Sequence, residues 1–229
     1  MIRRVKMKLS KETEDVLKNF ADINQNILVE KGNVLRTVST MKNILGRAEI
    51  TEAFPKQFGI YDLNEFLGVL TMSEDPEIHF ENESYLTIES GRSSVKYFHS
   101  DPSIIVSPPD TFSPPETNCK FSITNKLLTA VAKACAVLQL PDVVIREENS
   151  TTVMVATDLK NTTSHEYKVE VTMVGNSNGP VDLHFKIDNL KMIPGDYELH
   201  ISTEKNVSHW VHTTLAIQYW IALEQSSGQ

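Results

Sequence analysis

Two pairs of lysines, each seven residues apart, are what this 229-residue chain offers first as chemistry: Lys11 with Lys18, and Lys126 with Lys133. Seven residues is close to two helical turns, so on a helix each pair shares one face within about 20°. Ammonium groups on one face can meet the phosphates of a polyanion, or they can simply turn charge toward water. Catalytic chemistry is harder to find. His79, His99, His165, His184, His200, His209 and His212 show no metal-ligand spacing, and His209 and His212 would lie on opposite faces of a strand. The chain lacks HExxH and CxxC motifs and a Gly-x-x-x-x-Gly-Lys-Ser/Thr phosphate loop. Glu147-Glu148 reads as a polar turn after a strand. The residues point to a binding protein with no catalytic residues, no cofactor and no metal.

The elements that must carry these lysines can be read from the hydrophobic pattern. From Ser10 to about Asn24, Ser10 suits an N-cap and Glu12, Glu14 and Asp15 suit the positive end of a helix dipole. Val16, Leu17, Phe20 and Ile23 form an apolar stripe opposite Lys11 and Lys18. Short strands follow from Ile27 to Ile50, with turns expected at Gly32 and Gly46. A second helix is expected over Asp62–Met72, capped by Asp62. Strands return at Glu77–Glu81, Ser84–Glu89 and Ser94–Phe98.

Ser100–Pro115 holds five of the ten prolines and cannot be a helix or a central strand, so it reads as a stiff connector. It separates residues 1–107 from 118–229, with 108–117 as the linker proper, and each side is long enough for one small domain.

The second half repeats the first. Asn125 to Leu138 is an amphipathic helix with Leu128, Val131, Cys135 and Leu138 opposite Lys126 and Lys133. At an offset of 115, Ser10 matches Asn125 as cap, Lys11 matches Lys126, Val16 matches Val131, Lys18 matches Lys133 and Phe20 matches Cys135. Strands are expected at Asp142–Arg146, Thr151–Ala156 and Tyr167–Val174, then a short helical turn over Phe185–Met192, then strands at Asp196–Ser202 and Trp210–Glu224. Helix, strands, helix, strands occurs twice: an internal duplication carried by pattern alone.

Composition bounds the partner. The net charge of −8 argues against a surface that grips nucleic acid everywhere, and leaves room for one basic face if the acidic residues sit largely in loops and on strands. Cys119 and Cys135 are too few for a disulfide framework. No apolar run reaches the roughly 18–20 residues of a membrane helix, and the basic MIRRVKMKLS start has no apolar segment behind it. Without such a signal, the Asn-x-Ser/Thr sites at Asn82, Asn149, Asn161 and Asn206 are read as chance.

Several stretches resemble one family. MKLSKETEDVLKNFADIN (Met7–Asn24), GIYDLNEFLGVL (Gly59–Leu70), GRSSVKYFHSDPS (Gly91–Ser103), KMIPGDYELHIS (Lys191–Ser202) and YWIALE (Tyr219–Glu224) look like blocks of the DNA polymerase sliding clamps of T-even-type bacteriophages. The chain departs from that pattern at Met1–Lys6, which precedes the usual start, and at Tyr97, where the family often has Trp.

The resemblance implies an α+β fold: two similar clamp domains, with helices lining a central hole and antiparallel sheets outside. It implies a head-to-tail homotrimer, six domains around sequence-independent duplex DNA. Twelve lining helices at about 10 Å spacing would make a circle about 38 Å across and a bore of roughly 28 Å. Lys8, Lys11, Lys18, Lys126, Lys133 and Lys191 would face the DNA, with Arg4 added from the N-terminus. Ile104, Ile105, Val106, Phe112, Tyr197, Ala222 and Leu223 would form the pocket for a DNA polymerase C-terminal peptide. An ATPase clamp loader and late-transcription factors would be further partners, with no membrane, in the cytoplasm of the infected bacterial host. The competing readings are a β-rich phage structural or interaction protein without a DNA role, and a hydrolase on a duplicated scaffold, which lacks its carboxylate cluster.

Overall fold

The computed structural model describes residues 5–109, 115–175 and 181–225. The chain divides into two compact units, Met1–Asp110 and Thr111–Gln229. Each is α+β.

In the first unit the elements run β1 (Lys6–Met7), α1 (Lys11–Ile23), β2 (Ile27–Val29), β3 (Gly32–Val38), β4 (Ile44–Phe54), β5 (Phe58–Ile60), α2 (Leu63–Thr71), β6 (Glu77–His79), β7 (Tyr85–Ser90) and β8 (Ser93–Phe98). A 3-10 turn over Pro102–Ile104 follows. Antiparallel pairing gives a sheet in the order β1-β6-β7-β8, a β3–β4 hairpin and a β2–β5 pair. Helix α1 buries Thr13, Val16, Leu17, Phe20 and Ile23, the stripe that the 3.6-residue period requires. Helix α2 buries Leu63, Phe66, Leu67 and Leu70 and packs against α1. Its Asp62 cap accepts from the Glu65 N–H at 3.0 Å. That bond first, and Gln25 second, hold the Asp62 carboxyl below its ordinary range.

The hairpin turn is not at Gly46, which lies inside β4. It is at residues 39–43, where the Ser39 hydroxyl accepts the Asn43 and Ile44 N–H groups, both at 3.1 Å. Gly46 serves packing instead, since a Cβ there would stand 3.0 Å from the Phe20 ring.

The second unit runs β9 (Cys119–Ile123), α3 (Asn125–Leu138), β10 (Asp142–Glu148), β11 (Thr151–Thr157), β12 (Tyr167–Glu170), β13 (Thr172–Met173), β14 (Asp182–Lys186), a 3-10 turn (Ile187–Asn189), β15 (Tyr197–Ser202), β16 (Val207–His212) and β17 (Ile217–Ala222). One sheet has the order β12-β11-β10-β14, and β13, β9, β15, β16 and β17 pair in that order. Tyr197, Leu199, Trp210 and Tyr219 make the core of the five-strand layer. Helix α3 lies against β11 and β12. It stops where Gln139 turns left-handed at φ 55°, two residues before Pro141.

Three expectations change here. The cap of α3 is Thr124, whose hydroxyl accepts from the Leu127 N–H, and Asn125 is the first helical residue. The caps are therefore 114 apart, while the buried pairs Val16/Val131 and Phe20/Cys135 keep the offset of 115. The expected strand Trp210–Glu224 is a hairpin, β16 and β17. The His212 Nδ1 closes its turn by accepting the Thr214 and Leu215 N–H groups at 3.2 and 3.1 Å. Lastly, Phe185–Met192 is not a helix beyond the 3-10 turn Ile187–Asn189. Strand β14 claims Phe185 and Lys186 by pairing them with Val143 and Asp142, and Leu190 leaves helical geometry at ψ 50°. Among the described residues each chain thus has three α-helices, so three copies would bring nine rather than twelve.

Candidate nucleic-acid interface

Helix α1 is fixed at its start by two groups. The Ser10 hydroxyl accepts the Thr13 N–H at 3.2 Å, and the Glu52 carboxylate, from β4, accepts both the Ser10 N–H and the Thr13 hydroxyl. Burial pushes the Glu52 carboxyl up, but these bonds outweigh it and leave it below its ordinary value. So held, α1 turns Lys11 and Lys18 outward, with side chains 70% and 44% exposed. They are not alone there. Lys11 Nζ lies 2.8 Å from Asp15 Oδ1 and 3.9 Å from Glu14 Oε2, and Lys18 Nζ lies 3.5 and 3.7 Å from the same two carboxylates. The Lys11 hydrogen bond is the main reason the Asp15 carboxyl is held low and the Lys11 ammonium is held high. The expectation that acidic residues sit largely off the helices fails on α1, because i,i+3 and i,i+4 spacing puts Glu14 and Asp15 between the lysines.

On α3 the equivalent lysines stand differently. Lys126 and Lys133 are exposed, and neither has an ion-pair partner among the described residues. Asp196 uses its carboxylate at the helix start, accepting the Asn125 N–H at 2.7 Å. Only Val131 and Cys135 of this helix are buried. Alongside it, Leu128, Ala132, Ile187, Leu190 and Ile193 line an apolar groove of about 170 Å³, which sequence reasoning missed. It lies beside the 3-10 turn that stands where the sequence pattern suggests a longer helical turn. Of the remaining lysines, Lys8 pairs with Asp75, and Lys191 is exposed just after the 3-10 turn. Arg4 lies outside the described residues.

The expected peptide pocket changes membership. Ile104 and Val106 are 55% and 36% exposed, whereas Ile105 is buried against Gly59. A Cβ at Gly59 would fall 2.4 Å from the Ile105 Cδ1, so Ile105 is a plug that seats this segment rather than a docking surface. The same stretch is tied down by Asn26, whose side-chain oxygen accepts the Val106 N–H at 3.1 Å, and by Arg36, which donates to the Pro109 carbonyl at 3.2 Å. Tyr197 is 1% exposed, with its hydroxyl bonded to the Ile193 carbonyl. It belongs to the core because even-numbered and odd-numbered residues of β15 face opposite ways, and its parity is that of Leu199 and Ile201. Ala222 and Leu223 are half-buried. Phe112 lies outside the described residues. Tyr97 is buried edge-on against Phe66, and burial, with Glu65 and Asp62 nearby, pushes its hydroxyl up to about 12.

His209 and His212 do face opposite sides of β16: one stacks on Trp220 at 4.5 Å, the other meets Tyr197 in the core. Among the described residues there is no cluster of His, Cys, Asp or Glu fit for a metal, and no helix long and apolar enough to cross a membrane.

Comparison with known proteins agrees with this geometry along the chain. Residues 10–107 match the family DNA polymerase processivity factor, and residues 120–225 match gp45 sliding clamp, C terminal. The sliding clamp of Vibrio phage KVP40 is 28% identical over 227 residues, covering 95% of this chain and 99% of that protein. The sliding clamp of Enterobacteria phage T4 is 29% identical over 197 residues, 84% of this chain and 86% of that one. That of Escherichia phage RB69 is 28% identical, covering 96% and 98%. In fold, a chain from the structure of the C-terminal region of FEN-1 bound to A. fulgidus PCNA matches with a TM-score of 0.71 at 17% identity, over 98% of this chain and 99% of that one. Proliferating Cellular Nuclear Antigen from Entamoeba histolytica matches at 0.69 and 10%, over 97% and 98%. With both halves matched by clamp domains and nearly the whole length matched by phage clamps, this chain belongs to the bacteriophage sliding-clamp family of DNA polymerase processivity factors.

Proposed function

We propose that this chain is the sliding clamp of a phage replication machine: a non-enzymatic homotrimer that encircles duplex DNA and tethers the polymerase for processive synthesis. The observation that carries this is the repeated unit, an amphipathic helix with outward lysines laid on antiparallel strands, in a chain matched end to end by phage clamps. Two units per chain and three chains make a closed ring of six.

Among the described residues, strands β8 and β12 are end strands of their sheets, and an end strand presents backbone groups that can pair with another chain. Closure by β8 of one copy against β12 of the next would extend the sheet across each junction. DNA is held by topology, so lysine contacts to phosphate can remain weak and sequence-blind, as sliding requires. Of the six lysines expected on the DNA side, Lys8, Lys11 and Lys18 are already engaged by carboxylates, whereas Lys126 and Lys133 have no ion-pair partner among the described residues; Lys191 is exposed beside the 3-10 turn. Ile104 and Val106 on the first unit offer apolar contact to a polymerase C-terminal peptide, and Ala222 and Leu223 remain candidates on the second. Ring opening falls to a separate ATPase loader, since this chain has no phosphate loop. Late-transcription factors are further partners of the same ring, in the cytoplasm of the infected host.

The test is native mass followed by retention on DNA. A trimer that stays on circular duplex and runs off linear duplex after loading supports the reading. A monomer, or equal retention on both, removes it.

A further inference from the structure

The two lysine helices are alike in pattern and opposite in charge. Within the outward face of α1, the arc centred on Lys11 and Lys18 also holds Glu14, Asp15 and Asp22, by the 100° advance per residue. The whole helix carries Lys11 and Lys18 against Glu12, Glu14, Asp15 and Asp22, a formal charge of −2. The same arc on α3 holds Thr129, Ala130, Lys126, Lys133 and Val137, and the helix contains no acid, a formal charge of +2. The lysines of α1 are already engaged, at 2.8 Å to Asp15 for Lys11 and at 3.5 Å for Lys18. Among the described residues those of α3 are not, and the carboxylates on the neighbouring segment, Asp188 and Asp196, pair with neither. A phosphate approaching α1 must displace a carboxylate held on the same helix and then sit beside it. A phosphate approaching α3 displaces only water and mobile counterions, which is the step that releases free energy at low salt.

We infer that the clamp grips DNA through one helix per protomer: Lys126 and Lys133 of α3 carry the phosphate contact, while on α1 the Lys11–Glu14–Asp15–Lys18 quartet neutralises itself and leaves a helix of net charge −2 that offers phosphate no grip. This rests on the proposed encirclement of duplex DNA. A ring built so presents three basic and three acidic sectors in alternation. The duplex is then attracted without being held on all sides, and the acids on α1 limit how tightly it can bind.

The experiment uses the full-length assembled protein and a fluorescein-labelled 30-base-pair duplex, with binding followed by anisotropy across a salt series. Lys126→Gln with Lys133→Gln should weaken binding at least about tenfold at low salt and flatten the dependence of log K on log salt. Lys11→Gln with Lys18→Gln should change it less than about twofold. Glu14→Gln with Asp15→Asn, which frees the α1 lysines, should tighten binding several-fold. Lys126→Arg with Lys133→Arg should restore the wild-type salt slope, and circular dichroism verifies that each variant keeps its helices. If the two Lys→Gln pairs lose equally, or if freeing the α1 lysines changes nothing, the asymmetry is overturned and the clamp reading stands. If the wild-type trimer shows no salt-dependent binding to the duplex at all, both are overturned together.

Discussion

In the first unit the flank of α1 is closed by α2, a nine-residue helix that buries four large side chains. In the second unit the comparable place beside α3 is taken by a three-residue 3-10 turn and the segment to Pro194. The outcome is visible in burial: α1 hides five residues, α3 only Val131 and Cys135. One helical layer is a full two-helix layer and the other is a single helix with an apolar groove at its side. Repetition of a fold therefore does not repeat the distribution of its stability. Both units bury most of their core in strands, among them Leu199, Ile201, Trp210, Tyr219 and Ile221 of the second, but the helices of the first unit add nine buried residues and α3 adds two.

The strongest way to break this comparison is truncation at matched positions. Phe66→Ala, at 1% exposure and edge-on to Tyr97, should cost about 3–5 kcal/mol in urea unfolding. Ile187→Ala, half-buried in the 3-10 turn, should cost about 1–2 kcal/mol. Equal losses would mean that the short turn supports its unit as fully as α2 does.

Next in size is Gly59→Ala. The new methyl would meet Ile105 and the Ser100 backbone oxygen at 2.4 and 2.6 Å, and overpacking of this kind costs about 1–3 kcal/mol. It should also unseat residues 104–107, seen as faster proteolysis there, and unaltered cleavage would show that Ile105 is not what seats them.

The caps sharpen the comparison further. Thr124→Ala should destabilise by about 1 kcal/mol, and Asn125→Ala by much less, because the hydroxyl of Thr124 makes the capping bond. At the start of α1 the Glu52 carboxylate adds a pH dependence. Its carboxyl is held below the ordinary 4.5, so its contribution is complete above that pH and is lost as pH falls through the lower folded value. Glu52→Gln should therefore weaken the acid sensitivity of thermal stability below pH 4.5; parallel curves for the two proteins would dismiss Glu52 as the source. The smallest effect is a gain. Ala132→Leu places side-chain volume in the α3 groove and should raise stability by less than about 1 kcal/mol.

Much of the helical layer was legible in the chain itself. Ser10 and Asp62 cap the helices expected of them, and the lysine faces fall where a 100° advance puts them, because these are local properties of about four residues. The acids between Lys11 and Lys18 were equally legible and were undervalued: the same period that aligns the lysines aligns Glu14 and Asp15 with them. The β16–β17 hairpin was not legible, since its turn is closed by a histidine ring rather than by glycine or proline. Gly46 misled for the converse reason, a glycine kept for a neighbouring ring and not for a turn.

What the sequence determined alone is the alternation of helix and strand, the duplication, the two lysine faces and the family to which they belong, all carried by spacing within short stretches. Only the tertiary structure decided which of those features are available to act. Whether Ile105 is a plug or a pocket depends on Gly59, 46 positions earlier in the chain. Whether Phe185 begins a helix or ends a strand depends on its pairing with Val143. Whether a lysine is free depends on which carboxylates come within 4 Å of it. Spacing along the chain sets faces, but burial and charge are settled by groups that meet only when the chain has folded.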